Sequence, residues 1–119
     1  MENPTQNQTI LSFVHGKTGL SSLVEIGINP VSINGGISWG EVYCPDPLQV
    51  VKRDIAEGLL KQTSAEAASL WAKFIIGSGF LEFKHEDEES EPLWDCVWDI
   101  SEGGISPNHR QLAEKILNS

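Results

Sequence analysis

The stretch from Glu86 to Gly104, EDEESEPLWDCVWDISEGG, decides the fold, because its second half satisfies two different periods. As a strand it sets Trp94, Cys96, Trp98 and Ile100 on one side, with Asp95 and Asp99 opposite. At about 100° per residue, a helix instead gathers Leu93, Trp94, Cys96, Val97, Trp98 and Ile100 on one broad arc. Glu91, Asp95, Asp99 and Glu102 then collect on the other side. Punctuation selects the helix. Ser90 stands where a cap belongs, Pro92 follows just inside, and Gly103-Gly104 occupies the place of a left-handed C-terminal cap.

Helical spacing makes Glu91, Asp95, Asp99 and Glu102 neighbours, and each like-charge pair costs a few tenths of a kcal/mol. Glu91 gains from the helix N-terminus, whereas Asp99 and Glu102 lie near the end where the dipole opposes negative charge. The summed penalty approaches roughly 1 kcal/mol, and no lysine or arginine within the segment relieves it. Trp94 and Trp98 sit at the edge of the apolar arc nearest Glu91 and Glu102. Tryptophan flanked by charge is the composition of an interface anchor. Glu91, Trp94, Asp95, Trp98, Asp99 and Glu102 are therefore the expected partner-binding residues. Their competing explanation is structural: tryptophans packed in the core, and carboxylates paired by folding with Arg110, Lys115, Lys52 or Arg53.

Upstream, residues 86–89 are read as a solvated acidic run, since they lack the alternating ligands and central glycine of a calcium loop. Thr63 and Glu66 form a capping-box pattern ahead of Ala67, Leu70, Trp71, Phe74 and Ile75, a nearly apolar helix halted by Gly77-Ser78-Gly79. Before it, Leu48, Val51, Ile55 and Leu59 make one apolar stripe, with Asp46 as cap and Pro47 as the first helical residue. Phe80 to Lys84 reads as a short strand or an extended link. A last helix starts at Ser106-Pro107 and buries Leu112, Ile116 and Leu117, with Lys115 favoured near its C-terminal end.

The N-terminal part reads differently. Ile10 to His15, Leu20 to Ile28 and Ile37 to Tyr43 are β-branched or aromatic runs separated by residues 16–19, Asn29-Pro30 and residues 34–36, all turn chemistry. Residues 1–8 are polar and read as a disordered tail. The expectation is one α+β domain over residues 9–119, a small antiparallel β-meander of three to four strands packed with about four C-terminal helices.

The bulk numbers bound the function. A chain of 119 residues suits one domain, and 39% hydrophobic with 21% charged residues is ordinary for a globular protein. Eight Lys+Arg against 17 Asp+Glu leave a net charge of -9, which repels phosphate backbones and anionic lipid surfaces. Direct nucleic-acid or membrane binding is thus disfavoured, and a protein partner with a basic surface is favoured. The first residues lack the basic start and apolar core of a secretory signal, so a cytoplasmic location is expected. The two cysteines, Cys44 and Cys96, have no CxxC spacing and read as reduced thiols.

No cofactor or metal is expected. His15, His85 and His109 are scattered singly, and neither cysteine has a partner at ligand spacing. Gly16-Lys17-Thr18 suggests a phosphate loop, but the motif needs a glycine five positions earlier, where Leu11 stands. Asp95 and Asp99 share a face and solvent, which gives neither the split environments nor the fixed separation of a carboxylate pair in catalysis. The reading that follows is a non-enzymatic binding module, of which an inhibitor or immunity-type protein is one form. The alternatives are an accessory or structural subunit docking through an apolar face that includes Trp71 or Trp39, and an enzyme or small-ligand binder with a pocket.

Overall fold

The computed structural model describes residues 4–33, 36–39 and 47–118. Its elements in order are α1 (Pro4–Val14), α2 (Leu20–Glu25), β1 (Val31–Ile33), β2 (Gly36–Ser38), β3 (Leu48–Val50), α3 (Lys52–Leu60), α4 (Ala65–Gly77), β4 (Leu81–Phe83), α5 (Ser90–Gly103) and α6 (Pro107–Leu117). The architecture is mixed helix and sheet, dominated by helices. None of the helices among the described residues is long and apolar enough to cross a membrane.

The N-terminal part departs from the expected β-meander. Ile10 to His15 falls in and just after α1, Leu20 to Glu25 forms α2, and the helix reaches back to Pro4 within the stretch read as a tail. The physical reason lies in the spacing: Ile10, Phe13 and Val14 are buried together, three and four residues apart, on one helical face. Residues 16–19 accordingly join two helices, with Gly16 at φ 74° and packed against Lys61. Among the described residues, antiparallel sheet survives only as the β1–β2 pair, registered Val31 to Ser38 and Ile33 to Gly36. The last residues of the third expected strand, Gly40 to Tyr43, lie outside the described residues.

The second departure concerns residues 47–51. Leu48 and Val50 turn inward while Gln49 is exposed, and the segment forms β3, paired in parallel with β4 from Leu48–Leu81 to Val50–Phe83. The helix expected from Pro47 begins one turn later. Val51 is its N-cap, and its N–H donates to Asp54 Oδ2 at 2.9 Å. The other oxygen of Asp54 meets His15 Nε2 at 2.8 Å, so one carboxylate ties the end of α1 to the start of α3. The expected cap, Asp46, lies outside the described residues.

The remaining helices form where expected. Ser64 caps α4 by accepting the Ala67 N–H at 3.1 Å, one residue after Thr63. Ser106 caps α6, with Pro107 at its first position. His109 closes a reciprocal cap, its N–H reaching Ser106 Oγ and its Nδ1 accepting the Ser106 N–H. α4 packs on α5 and α3 on α6, around a core centred on Trp71, Phe74, Ile55, Leu59, Leu93 and Ile100. Phe74 lies at its middle, meeting Phe13 and Trp39 edge-on at 5.2 and 5.1 Å and stacking on Phe80 at 6.1 Å.

Candidate functional site

Within Glu86 to Gly104 the chain is helical from Ser90 to Gly103, and Gly104 ends the helix at φ 83°, donating its N–H to Ile100 O. Ser90, Leu93, Val97, Ile100 and Ser101 form the buried face. Ser90 does not act as a plain N-cap. Its buried hydroxyl accepts the Glu86 N–H at 3.1 Å, which folds the acidic run back onto the helix start. Below α5, Ser69 Oγ donates to Ser101 O at 2.9 Å and Ser101 Oγ to Trp98 O at 2.6 Å, so hydroxyls stitch α4 to the C-terminal half of α5.

The acidic run is only partly solvated. Lys52 Nζ sits 2.6 Å from Asp87 Oδ2 and 3.0 Å from Glu89 Oε1, at the start of α3. Asp87 is held below its ordinary pKa, first by the hydrogen bond from Lys52. Lys52 is raised, first by Asp87 and then by Glu89. That ion pair spends one of the cations that folding was able to bring to the α5 carboxylates. Arg110 is spent as well, donating to the carbonyls of Leu60 at 3.2 Å and Gln62 at 2.6 Å.

Glu91, Asp95, Asp99 and Glu102 are all exposed. Among the described residues, no lysine or arginine lies within 4.0 Å of any of them. The one ion-pair partner of Asp99 among the described residues is His109, whose Nε2 is 3.6 Å from Asp99 Oδ2. The half-buried Cys96 thiol registers the stripe: burial pushes its pKa up, and the charges of Asp99 and Asp95 push it further.

The four tryptophans divide. Trp71 is 1% exposed and donates its indole N–H to Val14 O at 2.9 Å, and Trp39 is 4% exposed, so both indoles are largely packed inside. Trp94 is half-buried and stacks on Phe83 at 4.8 Å with 13° between planes. Trp98 is 48% exposed, one of three large apolar side chains left open among the described residues; the others, Val24 and Val31, lie on α2 and β1. Of the two expected aromatic anchors, one is thus partly built into the fold and one stands free at the border of the acidic stripe.

Trp98 also forms one wall of a cleft of about 210 Å³ whose other lining includes Ile37, Trp39, Lys73, Ile76 and Gly77. These residues come from β2, from Trp39 just after it, and from α4, so no single local pattern joined them. The nearest signal was the break at Gly77-Ser78-Gly79, which marks where α4 loses its side chains. Among the described residues no group of three or more His, Cys, Asp or Glu side chains could hold a metal ion. No protein-family model matches the chain, and no curated protein or solved structure matches it.

Proposed function

We propose that this chain is a non-enzymatic protein-binding module whose α5 surface, formed by Glu91, Trp94, Asp95, Trp98, Asp99 and Glu102, engages a partner with a basic surface. The observation that carries this reading is the half-exposed Trp98 beside carboxylates that no lysine or arginine among the described residues neutralises. Such carboxylates accelerate encounter with a basic protein, and a desolvated indole supplies the anchoring energy. An inhibitor that offers carboxylates where its partner otherwise takes phosphates is one concrete form. The net charge of -9 argues against the chain itself binding nucleic acid. A cytoplasmic setting is part of the same proposal.

The test compares the wild type with Asp95→Lys/Asp99→Lys/Glu102→Lys as bait in the native cell, then repeats binding with the captured partner purified. The expected result is a basic partner lost to the reversed protein, with affinity falling about tenfold or more as salt rises from about 0.05 to about 0.5 M. A partner retained equally by both baits, with no salt dependence, contradicts the reading.

A further inference from the structure

Resting on that reading, we infer that the occupant of the α5 surface is a basic segment carrying one apolar side chain, which enters the cleft beside Trp98 while its flanking lysines or arginines lie along the carboxylates. Three observations converge on this guest. Indole and aliphatic carbons dominate the cleft walls, through Trp98, Trp39, Ile37 and Ile76. Its α4 side is open because the helix ends in Gly77, where an added Cβ meets no atom within 4 Å. The cation that lines it is Lys73, which opposes a positive head inside and so assigns the apolar group to the cleft and the basic groups outside.

Outside, the carboxylates along α5 form a strip of one sign, and exposed Lys73 lines a second hollow together with Glu102 at one end of it. Glu102 lies one turn beyond Trp98 and Asp95 one turn before it, and Glu91 continues the same strip toward the helix start. A segment crossing Trp98 therefore meets carboxylate before and after the point where its apolar residue turns in. Complementarity selects lysine or arginine at those flanking positions. Burial of a phenylalanine-sized group is worth enough to separate it from alanine by about tenfold or more in affinity.

Three short peptides of equal length test this: phenylalanine flanked by lysines, alanine flanked by lysines, and phenylalanine flanked by glutamates. Binding is read from the indole N–H resonances of Trp98 and Trp39 in the intact protein, with the Trp71 resonance reporting the core. The expected result is half-saturation by the lysine–phenylalanine peptide at a concentration about tenfold or more below that of the alanine peptide, and no shift with the glutamate peptide. Gly77→Leu, which fills the cleft from its open side and leaves every carboxylate in place, should bring the two lysine peptides to the same weak affinity without moving Trp71. Equal binding of both lysine peptides to the wild type overturns the cleft inference and leaves the acidic-surface reading standing. Failure of both lysine peptides, or equal binding of the glutamate peptide, overturns the acidic-surface reading together with the inference.

Discussion

The indole N–H of Trp71 donates to the carbonyl of Val14 at 2.9 Å across the core, joining the centre of α4 to the last residue of α1. The contact depends on Gly58. A Cβ there would stand 1.7 Å from the same Val14 oxygen, so α3 and α1 approach only because the position carries no side chain. α1, α3 and α4 therefore meet at one close contact that a single added methyl group would force apart.

Gly58→Ala should push α1 off α3, break the Trp71–Val14 bond and destabilise the protein by about 2–4 kcal/mol. Trp71→Phe, which removes the donor but keeps most of the bulk, should cost about 1–3 kcal/mol. Urea unfolding followed by circular dichroism measures both. A neutral Gly58→Ala would mean that α1 is not seated on α3.

The Lys52–Asp87–Glu89 cluster predicts how stability depends on pH. Asp87 has a lowered folded-state pKa, so its contribution is complete above its ordinary value near about pH 4 and is lost as pH falls through the lower folded value. Lys52 has a raised one, so its contribution is complete below its ordinary value and is lost as pH rises through the folded value, in the alkaline range. Lys52→Met should flatten both limbs of a stability-versus-pH curve. An unchanged acid limb in that variant would show that the pair does not persist in solution.

At Ser90, the buried hydroxyl is the acceptor for the Glu86 N–H. Ser90→Ala should leave that donor unpaired and cost about 1–2 kcal/mol, while hydrogen exchange at the Glu86 amide accelerates. Unaltered exchange would place the acceptor elsewhere.

Cys96 reports the field of the stripe. Its thiol is raised by burial, then by Asp99 and Asp95, so alkylation of Cys96 in a Cys44→Ser background should be slower than that of an unfolded cysteine at mildly alkaline pH. Asp95→Asn/Asp99→Asn should speed it. The sign is fixed by chemistry, since removing nearby negative charge favours the thiolate. A rate unchanged by the double substitution would mean that the carboxylates do not reach the sulfur electrostatically.

How much of this was legible in the sequence depended on how many signals agreed. α5 was readable because face segregation, the Pro92 entry and the Gly103-Gly104 exit all indicated one helix. α6 was readable from Ser106-Pro107 for the same reason. The N-terminal runs misled because β-branched composition and glycine-rich separators outweighed the three- and four-residue spacing of Ile10, Phe13 and Val14. At Leu48 to Val51 both periods fit, and the parallel partner that settles the matter, Leu81 to Phe83, is more than thirty residues away. The acidic stripe could be drawn from helical spacing alone. The diversion of Lys52 and Arg110 to other partners could not, nor could the cleft, because each joins residues brought together only by folding.

The central claim is that Trp98 serves a partner rather than the fold. The most direct measurement sets two free energies of Trp98→Ala side by side: unfolding in urea, and binding to the purified partner. The account predicts a binding loss of about 2 kcal/mol or more with a stability loss under about 1 kcal/mol, as expected for a half-exposed anchor. Undiminished affinity, or a stability loss of about 3 kcal/mol with binding otherwise intact, would contradict it.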